Sequence, residues 1–245
     1  AAATTIVKAR WNWSTKRVSA AFAAYLPFAF LTLLPMLSLG ESYFPWVSEM
    51  AHDPILQSKQ AYLNLPFLVA RNVVGAAALF GVALYFAYLV VRPDLKTMST
   101  APDDHPGRAR WRDRLGVGWI GQEEEEVRSW HRLQVISPVL VLVYAVVMSM
   151  FAIDWAMSLE PHWFSTLFGG WFFMGAFWAG IAVTAVAISR LIPLHPDFRT
   201  SMGLQQRHDL GKLAFGFTVF WTYLFWSQYI VIWYGKLPWE QAWMI

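Results

Sequence analysis

One carboxylate stands inside an apolar run long enough to cross a bilayer. The run is Val139 to Leu159, VLVLVYAVVMSMFAIDWAMSL, and the carboxylate is Asp154, five residues from its far end. At about 1.5 Å of rise per residue the run reaches roughly 30 Å, the thickness of a hydrocarbon core. An acid there costs roughly 2.5–3.5 kcal/mol at mid-membrane and less near the interface, so it needs a partner, water or a chemical task. Arg71 lies six residues into another apolar stretch and reaches a similar depth. Two chemistries fit these residues. One is a structural Arg71–Asp154 ion pair, or two separately snorkelling groups. The other is a protonatable carboxylate at a quinol headgroup or in a proton half-channel, with His162 as a neighbouring base eight residues on. Glu160 and His162 lie just beyond the same end, and His208, Asp209 and Lys212 gather at the opposite membrane face. Lys212 reads as a snorkelling cation or as part of a proton-entry path, and Asp209 as a helix cap beside His208.

Five segments are long and apolar enough to position these groups: Val18 to Leu39, Leu65 to Val91, Val139 to Leu159, Thr166 to Ile192 and Leu210 to Tyr234. Pro27 and Pro35 predict a kink in the first. Lys and Arg set the orientation. The N-terminal segment carries four, the second connection (92–136) eight, and the fourth has Arg190, Arg199 and Arg207; the intervening connections hold only Lys59, none, and Lys236. This bias places residues 1–17, 93–136 and 193–208 in the cytoplasm. Residues 18–92, 137–192 and 209–245 then hold the spans with their outer loops. The long second connection reads as a solvated excursion with a short amphipathic helix around Glu123 to Leu133, or as a basic lipid-binding patch. Its eight acidic residues offset the eight basic ones.

Composition agrees with lipid as solvent. Hydrophobic residues make up 57% of the 245-residue chain and charged residues 14%, against about 25% charged in soluble domains. Mean hydropathy is +0.38. Fifteen Trp and nine Tyr suit aromatic belts at the two interfaces. The fold class expected is an all-α integral membrane protein, a multi-helix transmembrane bundle of about five spans in this segment. Gly175/Ala179 and Ala176/Gly180 give small-xxx-small spacing on the fourth span. Gly211, Thr218, Thr222 and Tyr229 form a mildly polar stripe on the fifth, read as interhelical hydrogen bonding rather than a ligand path.

Absences narrow the chemistry. With no Cys, the chain cannot hold a Cys-ligated iron–sulfur cluster, a thiolate zinc site, c-type haem or a disulfide. No His sits mid-span, which disfavours bis-histidine haem. There is no Gly-rich phosphate loop, no HExxH and no arginine array of the voltage-sensor kind. The N-terminus does not read as a signal peptide.

Three stretches carry a resemblance: DPILQSKQAYLNLPFLVARNVV (Asp53 to Val74), FAIDWAMSLEPHWFSTLFGGWFF (Phe151 to Phe173) and RHDLGKLAFGFTVFWTYLFWSQYIVIWYGKLPWE (Arg207 to Glu240). These resemble an integral membrane component of alternative complex III, the bacterial quinol:acceptor oxidoreductase. That component is related to NrfD/PsrC-type membrane anchors. Family chains are longer, with two four-helix bundles and flanking helices, so further helices are expected outside both ends of this sequence. The resemblance implies a bacterial inner-membrane location and partner subunits carrying iron–sulfur clusters and c-type haem. It also implies a sister NrfD-like subunit, which holds the better-supported quinol pocket. The chain itself is then expected to hold no redox centre, with quinone as a candidate ligand. Membrane lipid is a partner and nucleic acid is not. The site residues implied are Asp154, Glu160 and His162 of the DW…EPH motif and His208, Asp209 and Lys212 of HDLGK.

The expected function is therefore an integral subunit of a respiratory quinol:electron-acceptor oxidoreductase that supports quinol oxidation, with proton translocation as an added role. The alternatives are a structural scaffold binding sister subunits and lipid, or a transporter fragment. The last has little behind it, because no internal repeat is visible and only the prolines of the first span suggest a broken helix.

Overall fold

The computed structural model describes residues 1–9, 11–96, 106–194 and 201–236. Every regular element among them is helical. Five helical segments have the length and composition of membrane spans: Trp13–Ser38, Leu65–Asp94, Gln122–Leu159, Phe168–Leu191 and Leu204–Gly235. In each, only 11% to 28% of the most apolar window is buried. Side chains such as Phe28, Val146, Val186 and Phe215 stand exposed. A water-soluble bundle would hide such faces, whereas a hydrocarbon solvent accepts them. The chain is a multi-pass, all-α membrane protein.

The chain divides into two compact units. The first comprises Ala1–Leu26 and Phe80–Leu142. Its core joins Ala20, Phe86, Leu89, Val90 and Leu133, all buried. The second comprises Pro27–Leu79 and Val143–Ile245. Leu37, Phe44, Trp46, Leu56, Leu63 and Leu68 form one core cluster in it, and Ala152, Trp163 and Phe168 another.

Several boundaries differ from expectation. The helix that carries Asp154 begins at Gln122, not near Val139. The expected long polar loop is thus much shorter, and the Glu123–Leu133 stretch is continuous with the span rather than a separate amphipathic helix. Charge explains this. Glu123, Glu124 and Glu125 occupy the helix's first turn, where the macrodipole favours anions. Glu125 is also fully buried against Arg92. Gly118 (φ 73°) and Gly121 (φ 130°) turn the chain just upstream, in backbone conformations that favour glycine. The last helix begins at Leu204 after Gly203, so Asp209 sits in its second turn and is not a cap. Nothing between Leu204 and Asp209 breaks a helix, and Gln and Arg are good helix formers. In the first span the α-helix gives way to a 3₁₀ turn at Phe22–Tyr25, directly before Pro27, whose ring removes one amide donor and crowds the preceding turn.

Glycines show which helices approach closely. A Cβ on Gly175 would meet Trp221 Nε1 at 2.8 Å, and one on Gly169 would meet Ser149 Cβ at 2.9 Å. Gly180 and Gly211 have open space instead. Only part of the expected small-residue seam is therefore a contact. The polar stripe on the last span is not interhelical either: Thr218 Oγ1 donates to Ala214 O at 2.9 Å and Thr222 Oγ1 to Thr218 O at 2.8 Å, within the same helix.

Candidate functional site

Asp154 lies in the last turn of its helix and is wholly buried. Its partners come from the start of the Leu65–Val91 helix and the loop before it. Asn64 fixes that start: its Oδ1 accepts from Phe67 N at 3.0 Å and its backbone carbonyl from Leu68 N at 2.9 Å. Two turns on, Arg71 and Asn72 both reach Asp154. Arg71 Nε donates to Oδ2 at 2.8 Å and Nη2 to Oδ1 at 2.6 Å, a two-pronged ion pair. Asn72 Nδ2 donates to Oδ2 at 2.6 Å. The Tyr62 hydroxyl donates to Oδ1 at 3.0 Å. The carboxylate thus accepts four hydrogen bonds, which fills its lone-pair sites.

The donors are held in turn. Arg71 Nη1 donates to Tyr62 O at 2.8 Å, and the guanidinium carbon lies 3.8 Å from the centre of the Tyr62 ring and 4.8 Å from that of Phe67. Trp155 Nε1 donates to Asn72 Oδ1 at 2.8 Å, which fixes the Asn72 amide orientation. Ser158 Oγ donates to Asp154 O at 2.6 Å as the helix ends. Burial, and then the Asp154 charge, push the Tyr62 phenol up to about 12.

A cavity of about 320 Å³ adjoins this cluster. Tyr62, Lys59, Ile153, Ser158, Trp163 and Phe164 are among its walls. Tyr62 therefore belongs both to the cavity and to the Asp154 network. Lys59 Nζ donates to Pro161 O at 2.6 Å and ties two walls together.

The remaining expected residues lie elsewhere. The His162 ring pairs with Asp53, not Asp154, at 2.8 Å from Nε2 to Oδ2. Asp53 is already employed, since its Oδ1 accepts from Ile55 N at 2.7 Å and caps the Pro54–Ser58 helix. Glu160 contributes backbone bonds, its N–H to Met157 O and its carbonyl from Trp163 N. At the start of the last helix His208 is exposed. There Asp209 accepts from Gln205 Nε2 at 3.1 Å and stands 3.7 Å from Lys212 Nζ. These contacts stay within one helix. The Lys212 side chain is 62% exposed.

Sequence reasoning missed Tyr62, Asn72, Trp155 and Asp53 as members of the site. An Asn inside an apolar span was a usable signal; Tyr62 gave none, since 92 residues separate it from Asp154. Two further buried polar contacts also went unread. Arg92 grips Glu125 through Nε to Oε2 at 2.7 Å and Nη2 to Oε1 at 2.9 Å. Ser165 Oγ meets buried Gln228 Oε1 at 3.1 Å. Among the described residues no group of three or more His, Cys, Asp or Glu gathers as a metal site would require.

No protein-family model matches the chain, and no curated protein matches it significantly.

Proposed function

We propose that this membrane bundle is a subunit of a respiratory quinol:electron-acceptor oxidoreductase of the alternative complex III kind, and that it supports quinol oxidation. The observation that carries this reading is the cavity walled by Tyr62, Trp163 and Phe164, with the Tyr62 hydroxyl bonded to buried Asp154. Its size and largely apolar aromatic lining suit a quinol ring. A quinol hydroxyl placed against the Tyr62 oxygen would extend a hydrogen-bond chain toward Asp154. Oxidation releases two electrons and two protons; the electrons pass to iron–sulfur and c-type haem centres in partner subunits. The motifs DWAMSLEPHWFST, HDLGK and WSQY support the same assignment by resemblance. In this reading the bundle lies in a bacterial inner membrane beside a sister NrfD-like subunit.

A scaffold role is the second reading, favoured by the saturation of Asp154. A carboxylate already accepting four bonds, two from one guanidinium, has no acceptor site left for a further donor. Proton translocation through Asp154 would require Tyr62 or Arg71 to let go.

Tyr62→Phe in the intact complex separates the two. The variant keeps the ring under Arg71 and removes the hydroxyl. Quinol turnover reduced about tenfold or more in a fully assembled complex supports the first reading. Unchanged turnover with intact assembly leaves the scaffold.

A further inference from the structure

In the first unit, Lys16 is 2% exposed and its Nζ has no hydrogen-bond partner. The ammonium lies 4.8 Å from the centre of the Trp13 ring and 5.1 Å from that of Trp130. Ser129, also 2% exposed, has an unpartnered Oγ. Both residues line one cavity of about 300 Å³, together with Trp13, Arg17, Leu89, Glu126, Trp130 and Leu133. Two sequestered, unpartnered donors on residues that line one cavity are uncommon, because buried polar groups are paired and buried cations strongly so. Local carboxylates do not supply the partner. Asp94 is held by Arg17, with Nη2 to Oδ1 at 2.7 Å, and Glu126 accepts from Gln122 Nε2 at 2.6 Å.

We propose that this cavity binds the phosphate of an anionic phospholipid, with Lys16 Nζ and Ser129 Oγ as its donors. Position supports a lipid. Residues 13–17 begin the first span, 89–93 end the second, and 126–133 belong to the first turns of the third. All three walls therefore lie at span ends on one membrane face, the depth at which headgroups and Trp rings reside. Leu89, Val90 and Leu133 give the cavity an apolar side. The inference is independent of the respiratory reading.

The test uses the whole chain in nanodiscs of phosphatidylcholine, with and without about one-fifth phosphatidylglycerol, for the parent protein, Lys16→Met and Ser129→Ala. Native mass spectrometry should show phosphatidylglycerol retained by the parent about tenfold more than by Lys16→Met, with Ser129→Ala between them. Phosphatidylglycerol should raise the melting temperature of the parent and not that of Lys16→Met, which folds without it because Met fills a similar volume without charge. Glycerol 3-phosphate added in excess should not displace the lipid; displacement would identify a free phosphate-ester site instead. Equal retention by parent and Lys16→Met, or retention of a quinone in place of the phospholipid, overturns the proposal.

Discussion

The Tyr62 hydroxyl donates to Asp154 Oδ1 at 3.0 Å while its ring lies 3.8 Å beneath the Arg71 guanidinium. One side chain thus touches both members of a buried ion pair and also faces a cavity. The pair fixes Tyr62, and of the three it is Tyr62 that lines the space a ligand can enter.

Ionisation of Tyr62 should be suppressed. Its phenol is pushed up to about 12 by burial and the Asp154 charge. The folded chain therefore favours the protonated form. That preference is fully present below the ordinary phenol value of about 10 and is lost as pH rises through about 12. An ultraviolet titration of the protein minus that of Tyr62→Phe should show one tyrosinate appearing near pH 12. Appearance near the ordinary value of about 10 would mean that Tyr62 is neither buried nor held beside Asp154.

Breaking the Arg71–Asp154 pair from one side should cost more than removing both charges. Asp154 is fully buried and the Arg71 side chain is 9% exposed. Asp154→Asn leaves the guanidinium without its counter-charge, a loss of about 3–5 kcal/mol for a buried pair. The double change Arg71→Met, Asp154→Leu removes both desolvation penalties and should recover most of that loss. Thermal unfolding in detergent of Arg71→Met, Asp154→Leu and the double variant measures the coupling.

Much of this was legible beforehand, for a physical reason. Spans are written as apolar length, so Leu65–Val91 was placed to the residue and the others within a few residues at their lipid-embedded ends. The Arg71–Asp154 pair is one of the readings that a lone acid and an arginine at matching depth leave open, beside separate snorkelling and a functional carboxylate. What failed was polar helix. The Glu123–Leu133 stretch is expected as a separate short helix and Leu204–Asp209 as loop, yet dipole, propensity and the Arg92–Glu125 pair make both continuous with their spans. The membership of Tyr62 and the diversion of His162 to Asp53 were illegible, because both depend on how loops distant in sequence fold back.

Arg92 should act as the fastener of the turn at Leu115–Gly118. Besides Glu125, it donates to Leu115 O at 3.4 Å, Val117 O at 3.3 Å and Gly118 O at 3.2 Å, and it contacts the Tyr88 hydroxyl. Arg92→Lys keeps the charge and loses this fan of planar donors. Amide exchange over residues 116–121 should speed up about tenfold or more in Arg92→Lys. Exchange of the amides around Asp154 should not change.

Gly175 and Gly180 share a helix and should respond oppositely to alanine. A Cβ at 175 would sit 2.8 Å from Trp221 Nε1, and Trp221 is stacked on both Trp171 (5.2 Å between ring centres) and Trp178 (5.5 Å), so it has little freedom to retreat. Gly175→Ala should destabilise the chain by about 1–3 kcal/mol, the usual cost of overpacking. At 180 the space is open and alanine gains helix propensity, so Gly180→Ala should be neutral or stabilising by up to about 1 kcal/mol. Equal melting temperatures for the two variants would show that the fourth and fifth spans do not approach as closely as Gly175 and Trp221 require.

Orientation decides which side of the membrane the site faces. Residues 1–17, 93–136 and 193–208 carry most Lys and Arg of the connections, and the opposite connections contribute only Lys59 and Lys236. The orientation proposed from the positive-inside bias sets the arginine-rich side in the cytoplasm and the cavity beside Tyr62 at the outer face. The chain has no cysteine, so single-cysteine variants need no prior substitution. Arg114 and Ser48 are both exposed. Arg114→Cys should be labelled by an impermeant maleimide only after the membrane is opened, and Ser48→Cys should be labelled in intact cells. The reverse pattern would put Asp154 near the cytoplasm and remove the case for outer-side quinol chemistry at Tyr62, while leaving the bundle and its ion pairs unchanged.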